Sequence, residues 1–293
     1  MSSEFTTVLS GRSINLNIFP LSFKEFVRFK DKKIKQYKDI VLDKNRVNSL
    51  MSEYLEFGGF PRVVLETKDN KSILLKEYFE AIVLRDIVSR HNIRDVSLLK
   101  AFATILLTNI ASPTSIGKLA SVLQGSFNRK ISLETVSRFL EYAESAFLIF
   151  PVQIFSYKIK DQLQYPRKVY CIDTGLRNAV SFRFSEDIGR LYENLVYLEL
   201  KRKGREIYYW KDPQHREVDF MIKEGMNVKE LIQVCFDISD EKTKKREITA
   251  LIKAMEEFKL NTGTIITEDY EGEEETSEKA INYIPLWKWL TGE

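Results

Sequence analysis

The sequence predicts an α+β chain of more than one domain, and three observations lead there. The first third carries apolar stripes at helical spacing. The middle runs three short helices into two extended apolar segments. The last part reads helix, three strands, helix, strand. With 293 residues, 44% apolar and 30% charged, the chain can bury a sizeable core, and its length suits two or three domains.

Residues 21–95 read as helices. LSFKEFVRFK places Leu21, Phe23, Phe26, Val27 and Phe29 at near-helical spacing, and SILLKEYFEAIVLRDIV carries a long apolar stripe over 72–90. Between them FGGFPR is a turn, because Gly58 and Gly59 permit positive φ and Pro61 blocks helix continuation.

Residues 96–180 change character. LLKAFATILLTNIAS is a helix stopped at Ser112 and Pro113, SIGKLASVLQ a second ended by Gly125, and SLETVSRFLEYAES a third capped by Ser132. FLIFPVQIF and KVYCIDTG follow as extended runs, and three helices then a hairpin is the order of a winged helix. In the third helix Leu133, Val136, Leu140 and Ala143 share a face, leaving Glu134, Thr135, Ser137, Arg138 and Glu141 outward. Arg129, Lys130, Thr135, Ser137 and Arg138 are therefore the candidate nucleic-acid-binding residues, with duplex DNA the candidate partner. Glu134 and Glu141 would repel phosphate, so a packing or protein-contact role for this helix stands beside that reading.

From 181 to 293 the pattern is an α/β sandwich. Helix 187–203 ends at Gly204, the strands are EIYYW, EVDFMI, ELIQVCF and GTIIT, and TKKREITALIKAMEEF supplies a second helix. DYEGEEETSE reads as a solvated loop, and PLWKWL as a closing strand or turn with Trp287 and Trp289 packed on the sandwich.

Composition limits the function classes. A formal charge of +3, from 45 Lys plus Arg against 42 Asp plus Glu, rules out a basic field over the whole surface, so any nucleic-acid contact is local. Two distant cysteines, Cys171 and Cys235, without a CxxC pair and with only two histidines, argue against zinc and fit a reducing cytoplasm. No signal-peptide order opens the chain, and no apolar run approaches the ~20 residues of a membrane span.

A phosphodiester hydrolase of this architecture needs carboxylates converging on Mg²⁺, a hard ion that takes oxygen ligands and activates water. Glu193 on the first helix and Asp219 on the second strand are the candidate metal ligands. The next strand should add a carboxylate and, two positions on, a lysine on the same strand face. Gln233 and Cys235 stand there instead. The amide oxygen of Gln233 can still touch a metal but lacks the charge, and a thiol cannot replace an ammonium. Glu193, Asp219 and Gln233 thus form a degenerate candidate catalytic set, with Lys242, Lys244 or Lys245 as conceivable substitutes for the lysine.

The pieces FPLSFKEF, YLEFGGFPRVV, KVYCIDTGL and LYENLVYLELKRKGREIYYWKDPQHREVDFMI, in this order, resemble the C-terminal region of a group of archaeal and bacterial AAA-type ATPases. The resemblance implies a helical lid at 21–95, a winged-helix domain at 96–180 and a PD-(D/E)XK restriction-endonuclease-like sandwich at 181–293. It implies the end of an ATPase core at 1–20, with Ser2 or Ser3 the remnant of a sensor and Arg12 near nucleotide. No GxxxxGK[ST] occurs in the chain, so ATP is expected only in a longer form carrying a P-loop. Mg²⁺ is expected only if the nuclease-like site is active.

Other residues have ordinary explanations. His215 reads as an exposed turn residue, Glu217 as a second ligand or a partner for lysines, and Arg85–Asp86 as a helix-surface pair. Three readings follow: a non-catalytic nucleic-acid-associated or partner-binding module, an Mg²⁺-dependent nuclease with an altered third motif, or an assembly module, with a homo-oligomer among its partners.

Overall fold

The structure is a computed structural model that describes residues 16–30, 44–181, 188–276 and 278–292. Ser2, Ser3 and Arg12, with the sensor role attached to them, lie outside the described residues.

The first part is helical: α1 (Phe23–Lys30), α2 (Lys44–Phe57), α3 (Pro61–Leu65) and α4 (Lys68–Ala81), which continues through a π-helical stretch Ile82–Val88 to His91. Asn92, at φ 50°, ends it in the left-handed conformation that asparagine tolerates. The FGGFPR turn is fixed from a distance. Gly58 has φ 72°, and a Cβ there would lie 2.0 Å from the Asp173 carboxylate, which accepts a 2.7 Å bond from the Gly59 amide and a 2.9 Å bond from the Leu176 amide. A Cβ on Gly175 would meet the Phe57 carbonyl at 2.1 Å. The turn and the IDTG segment therefore close on each other with no room for a side chain, and burial raises the Asp173 carboxyl to about 6.

The middle part contains α5 (Val96–Thr108), β1 (Pro113–Thr114), α6 (Ile116–Phe127), α7 (Leu133–Ser145), β2 (Ile149–Val152), α8 (Ile159–Gln164), β3 (Arg167–Cys171) and α9 (Thr174–Val180). Asp95, Ser115 and Ser132 cap α5, α6 and α7 by accepting bonds from the amides of Leu98, Lys118 and Thr135. Helix α6 passes through Gly125, its expected end, and stops at Asn128 in the left-handed region, φ 48°. On α7 the buried stripe is Val136, Phe139, Leu140 and Ala143. Leu133, in the first turn, is exposed rather than part of it. The three strands pair antiparallel in the order β1-β3-β2, which puts β3 in the middle.

The last part holds α10 (Ile188–Arg202), β4 (Glu206–Lys211), β5 (Glu217–Glu224), β6 (Asn227–Val234), α11 (Glu241–Phe258), β7 (Thr262–Thr267), β8 (Gly272–Thr276), β9 (Lys279–Pro285) and α12 (Leu286–Thr291). The chain is thus α+β, with a mixed six-stranded sheet in the order β4-β5-β6-β7-β9-β8 whose β6-β7 and β7-β9 pairs are parallel. Consecutive strand residues divide between two cores, as the two-residue period requires. Ile232 and Ile266 join the large core that holds α10, while Leu231 and Ile265 join Ala250, Leu251, Ala254 and Met255 of α11.

Two expectations are corrected here. The acidic tract is not a loop throughout: Gly272–Thr276 is the edge strand β8, paired antiparallel with β9. An edge strand needs one ladder only and tolerates charge, and Glu273 and Glu275 point to solvent while Glu274 bonds the Tyr283 hydroxyl at 2.8 Å. PLWKWL is a helix rather than a strand, started at Pro285 and ended by Gly292 at φ 81°.

Candidate functional site

The main charged site lies where β3 meets the six-stranded sheet. Two residues of α10 hold the strand. Asn194 is fully buried, accepts a 2.8 Å bond from the Cys171 amide and donates one of 3.1 Å to the Cys171 carbonyl. Glu193, one residue earlier, accepts a 2.7 Å bond from the Tyr170 hydroxyl. With β3 fixed in this way, Lys168, two residues before Tyr170 and on the same strand face, reaches into the sheet.

The Lys168 ammonium lies 3.0 Å from Glu193 Oε1, 2.8 Å from Glu217 Oε1 and 2.7 Å from Asp219 Oδ1, and its side chain is only 2% exposed. The ladder between β4 and β5 slips between Tyr208 and Trp210, taking one extra β5 residue over Asp219–Phe220. Such a bulge re-aims side chains, and here Glu217 and Asp219 both reach one ammonium. The second oxygen of Asp219 accepts a 2.9 Å bond from the Val234 amide, and that of Glu217 a 3.1 Å ion pair from Lys211.

Burial favours loss of the lysine's proton, but Asp219, Glu193 and Glu217 outweigh it and hold the ammonium well above its ordinary range. Burial, followed by the Asp219 charge, pushes the Glu193 carboxyl up to about 8. Glu217 is also penalised by burial, but Lys168 and Lys211 bring it below the usual carboxylate range. Within the cluster, then, two lysines and three carboxyl groups compensate one another at close range.

The structure brings Glu193, Asp219 and Gln233 to one place, with the Gln233 amide bonded at both ends. Its amide oxygen accepts from the Asp219 amide at 3.1 Å and its NH₂ donates to Glu247 Oε2 at 2.6 Å. Glu247 is in turn paired with Arg246. Cys235 is buried, and desolvation raises its thiol to about 12, so it carries no charge. Lys244 pairs with Glu274 at 3.2 Å, while Lys242 and Lys245 are exposed. The lysine in the cluster is Lys168, which sequence reasoning missed. The available signal was a lysine inside the otherwise buried run KVYCI, with Tyr170 on the same face.

These residues do not fit a resident Mg²⁺. That ion asks for oxygens at about 2.0–2.1 Å in octahedral array. Here the carboxylates are spread to ammonium distances around a lysine in their centre. Among the described residues no group of three or more His, Cys, Asp or Glu is arranged to hold a metal.

A second charged region is open. The turn after His91 and the start of α7 enclose a groove of about 760 Å³ lined by Arg94, Asp95, Arg129, Lys130, Thr135 and Arg138, with His91 and Tyr142 beside them. The imidazole of His91 stacks on the Tyr142 ring at 3.7 Å, and burial, then Arg90, lowers its pKa, so it is neutral at pH 7. Arg129 pairs with Asp95, and Arg138 with Glu134 at 3.7 Å. Of the candidate nucleic-acid residues, Arg129, Lys130, Thr135 and Arg138 line this groove. Ser137 lines a different cavity with Ser115, Glu141 and Arg167.

Comparison with known proteins divides the chain at the start of α10. Residues 48–187 match the domain of unknown function DUF8612, and residues 188–289 match the domain of unknown function DUF4143. A curated Methanocaldococcus jannaschii protein is 41% identical over 99% of this chain and 66% of its own length. One from Haemophilus influenzae is 30% identical over 99% of this chain and 68% of its own length. The chain belongs to the family of these two proteins. It spans about two thirds of the length of each. DUF4143 is a domain often found at the C-terminus of AAA-ATPase-like proteins. A solved assembly of Thermococcus gammatolerans McrB AAA+ hexamers with bound McrC contains a chain that is 12% identical, with a TM-score of 0.27 over 100% of this chain and 68% of its own. A likeness at that level carries no argument.

In this family member Lys168 belongs to the DUF8612 segment, while its three carboxylate partners belong to the DUF4143 segment. His215 is exposed in a turn at φ 65°, and Arg85 bonds the neighbouring Asp86 on the surface. No helix among the described residues is long and apolar enough to cross a membrane.

Proposed function

We propose that this chain is the C-terminal portion of an AAA-type ATPase: a helical lid, a winged helix and a nuclease-like sandwich without phosphodiester hydrolysis, contacting nucleic acid through the groove at the start of α7. The groove is the observation that carries this reading. Arg94, Arg129, Lys130 and Arg138 face one opening, at the N-terminus of the second helix of a helix pair that precedes paired strands. Cations at that end of such a helix are suited to phosphate contacts, and the amide end of the helix adds to the attraction. Asp95 and Glu134 moderate the charge without cancelling it.

The position of DUF4143 in AAA-ATPase-like proteins supports the ATPase context, and the balanced, lysine-filled carboxylate cluster supports the absence of hydrolysis. Binding of the chain to short duplex DNA and duplex RNA across a salt series tests the proposal. Affinity that falls steeply with salt, and is lost on reversing Lys130 and Arg138 to glutamate, is the expected result. Salt-insensitive binding, or none, would favour an assembly role instead.

The convergence of Glu193, Glu217 and Asp219 favours one alternative, an active nuclease. Cleavage of supercoiled DNA with Mg²⁺ or Mn²⁺, abolished by Asp219→Ala, would establish it in place of the proposal.

A further inference from the structure

We infer that the Lys168 ammonium is a built-in counter-ion standing where a divalent cation would be held, and that it turns this carboxylate cluster into the joint between β3 and the six-stranded sheet. The inference does not depend on the groove or on nucleic-acid binding.

Three features support it. Lysine side chains ordinarily carry the charge to water along a flexible stem, but this one is 2% exposed and ends among three carboxyl groups. Burying such an ion is unfavourable unless its partners compensate it closely, and here one oxygen of each of three carboxyl groups lies at hydrogen-bond distance. The partners come from two separate elements, Glu193 from α10 and Glu217 with Asp219 from β5, and they converge on nitrogen, at ammonium rather than metal-ligand distances. Finally, the ammonium is tethered. Asn194 clamps the Cys171 backbone three residues along, so the cation is delivered whenever β3 docks, and a free ion would have to expel it. The same tether explains why Gln233 and Cys235 are tolerated. With the cation covalently supplied, the third carboxylate and the lysine of a hydrolytic site have no task, and Gln233 serves as a neutral strut between the Asp219 amide and Glu247.

The test is a Mn²⁺ titration of the full chain, reading free Mn²⁺ by its electron paramagnetic resonance signal, for wild type, Lys168→Ser and Lys168→Ser/Asp219→Asn. Wild type is expected to take up no ion at this site up to millimolar Mn²⁺. The serine variant is expected to gain one ion per chain, and the double variant to weaken that binding by about tenfold or more, as loss of a supporting ligand does. Wild-type uptake of one ion that Asp219→Asn removes would overturn the inference, and so would a folded serine variant binding no better than wild type. Should Lys168→Ser not fold, the melting temperatures of Lys168→Met and Lys168→Met/Asp219→Asn decide. A higher value for the double variant supports the counter-ion, and an equal or lower one overturns it.

Discussion

The carboxylate cluster and the α7 groove are both built from charged side chains, yet they differ in what the charges do. In the cluster, cations and anions are buried together and satisfy one another at 2.7–3.1 Å. In the groove, four cations face an opening of about 760 Å³ that contains one carboxylate. A closed, balanced site has no free field for a ligand but a large stake in stability; an open, unbalanced one has the reverse. Residue type alone does not separate a structural site from a binding site. Burial and charge balance do.

The strongest way to break the contrast is Lys168→Met. It leaves three carboxyl groups without their central cation, and urea unfolding is expected to show a loss of about 3–5 kcal/mol, the scale for removing one partner of a buried pair. If the variant stays within about 1 kcal/mol of wild type, the cluster is not the structural element described here.

Glu193→Gln sharpens the same comparison through pH. The folded pKa of Glu193, about 8, lies above its ordinary 4.5, so the folded state binds the extra proton. Its contribution to stability is fully present below pH 4.5 and is lost as pH rises through about 8. Glutamine mimics the protonated carboxyl and does not titrate. Between pH 6 and 8.5 the stability of wild type relative to the variant is expected to fall by about 2 kcal/mol, read from paired denaturation curves. A constant difference across that range would remove the protonated carboxyl from the balance.

At the groove the effects move from stability to binding. Alanine at Arg94, Lys130 and Arg138 together is expected to make the logarithmic salt dependence of duplex affinity shallower by about one per cation removed. An unchanged slope would mean that these cations do not meet phosphate. The smallest effect is on folding. Arg138→Ala, an exposed position, is expected to change unfolding free energy by less than about 0.5 kcal/mol, in contrast to Lys168→Met.

Much of the architecture is legible in the order and spacing of the residues. The Ser132 cap and the α11 stripe are local signals, because a helix end or an amphipathic face is settled by residues three or four apart. Elements whose identity depends on a distant partner are less legible. The acidic run became strand β8 because β9 offered a free edge, and Gly125 lies inside α6, which ends three residues later at Asn128. The same division applies to the site. Glu193, Asp219 and Gln233 are visible from their spacing. Lys168 is not, since 25 residues separate it from Glu193 and 51 from Asp219.

The sequence by itself determined which residues can form helices and strands, which carboxylates the last third offers, and that an amide stands on the third strand with a thiol just past its end. Only the tertiary structure decided that β3 crosses to the sheet and lays a lysine among those carboxylates. The reason is physical: local geometry sets secondary structure within a few residues, whereas charge compensation in a buried site depends on which strands meet in space.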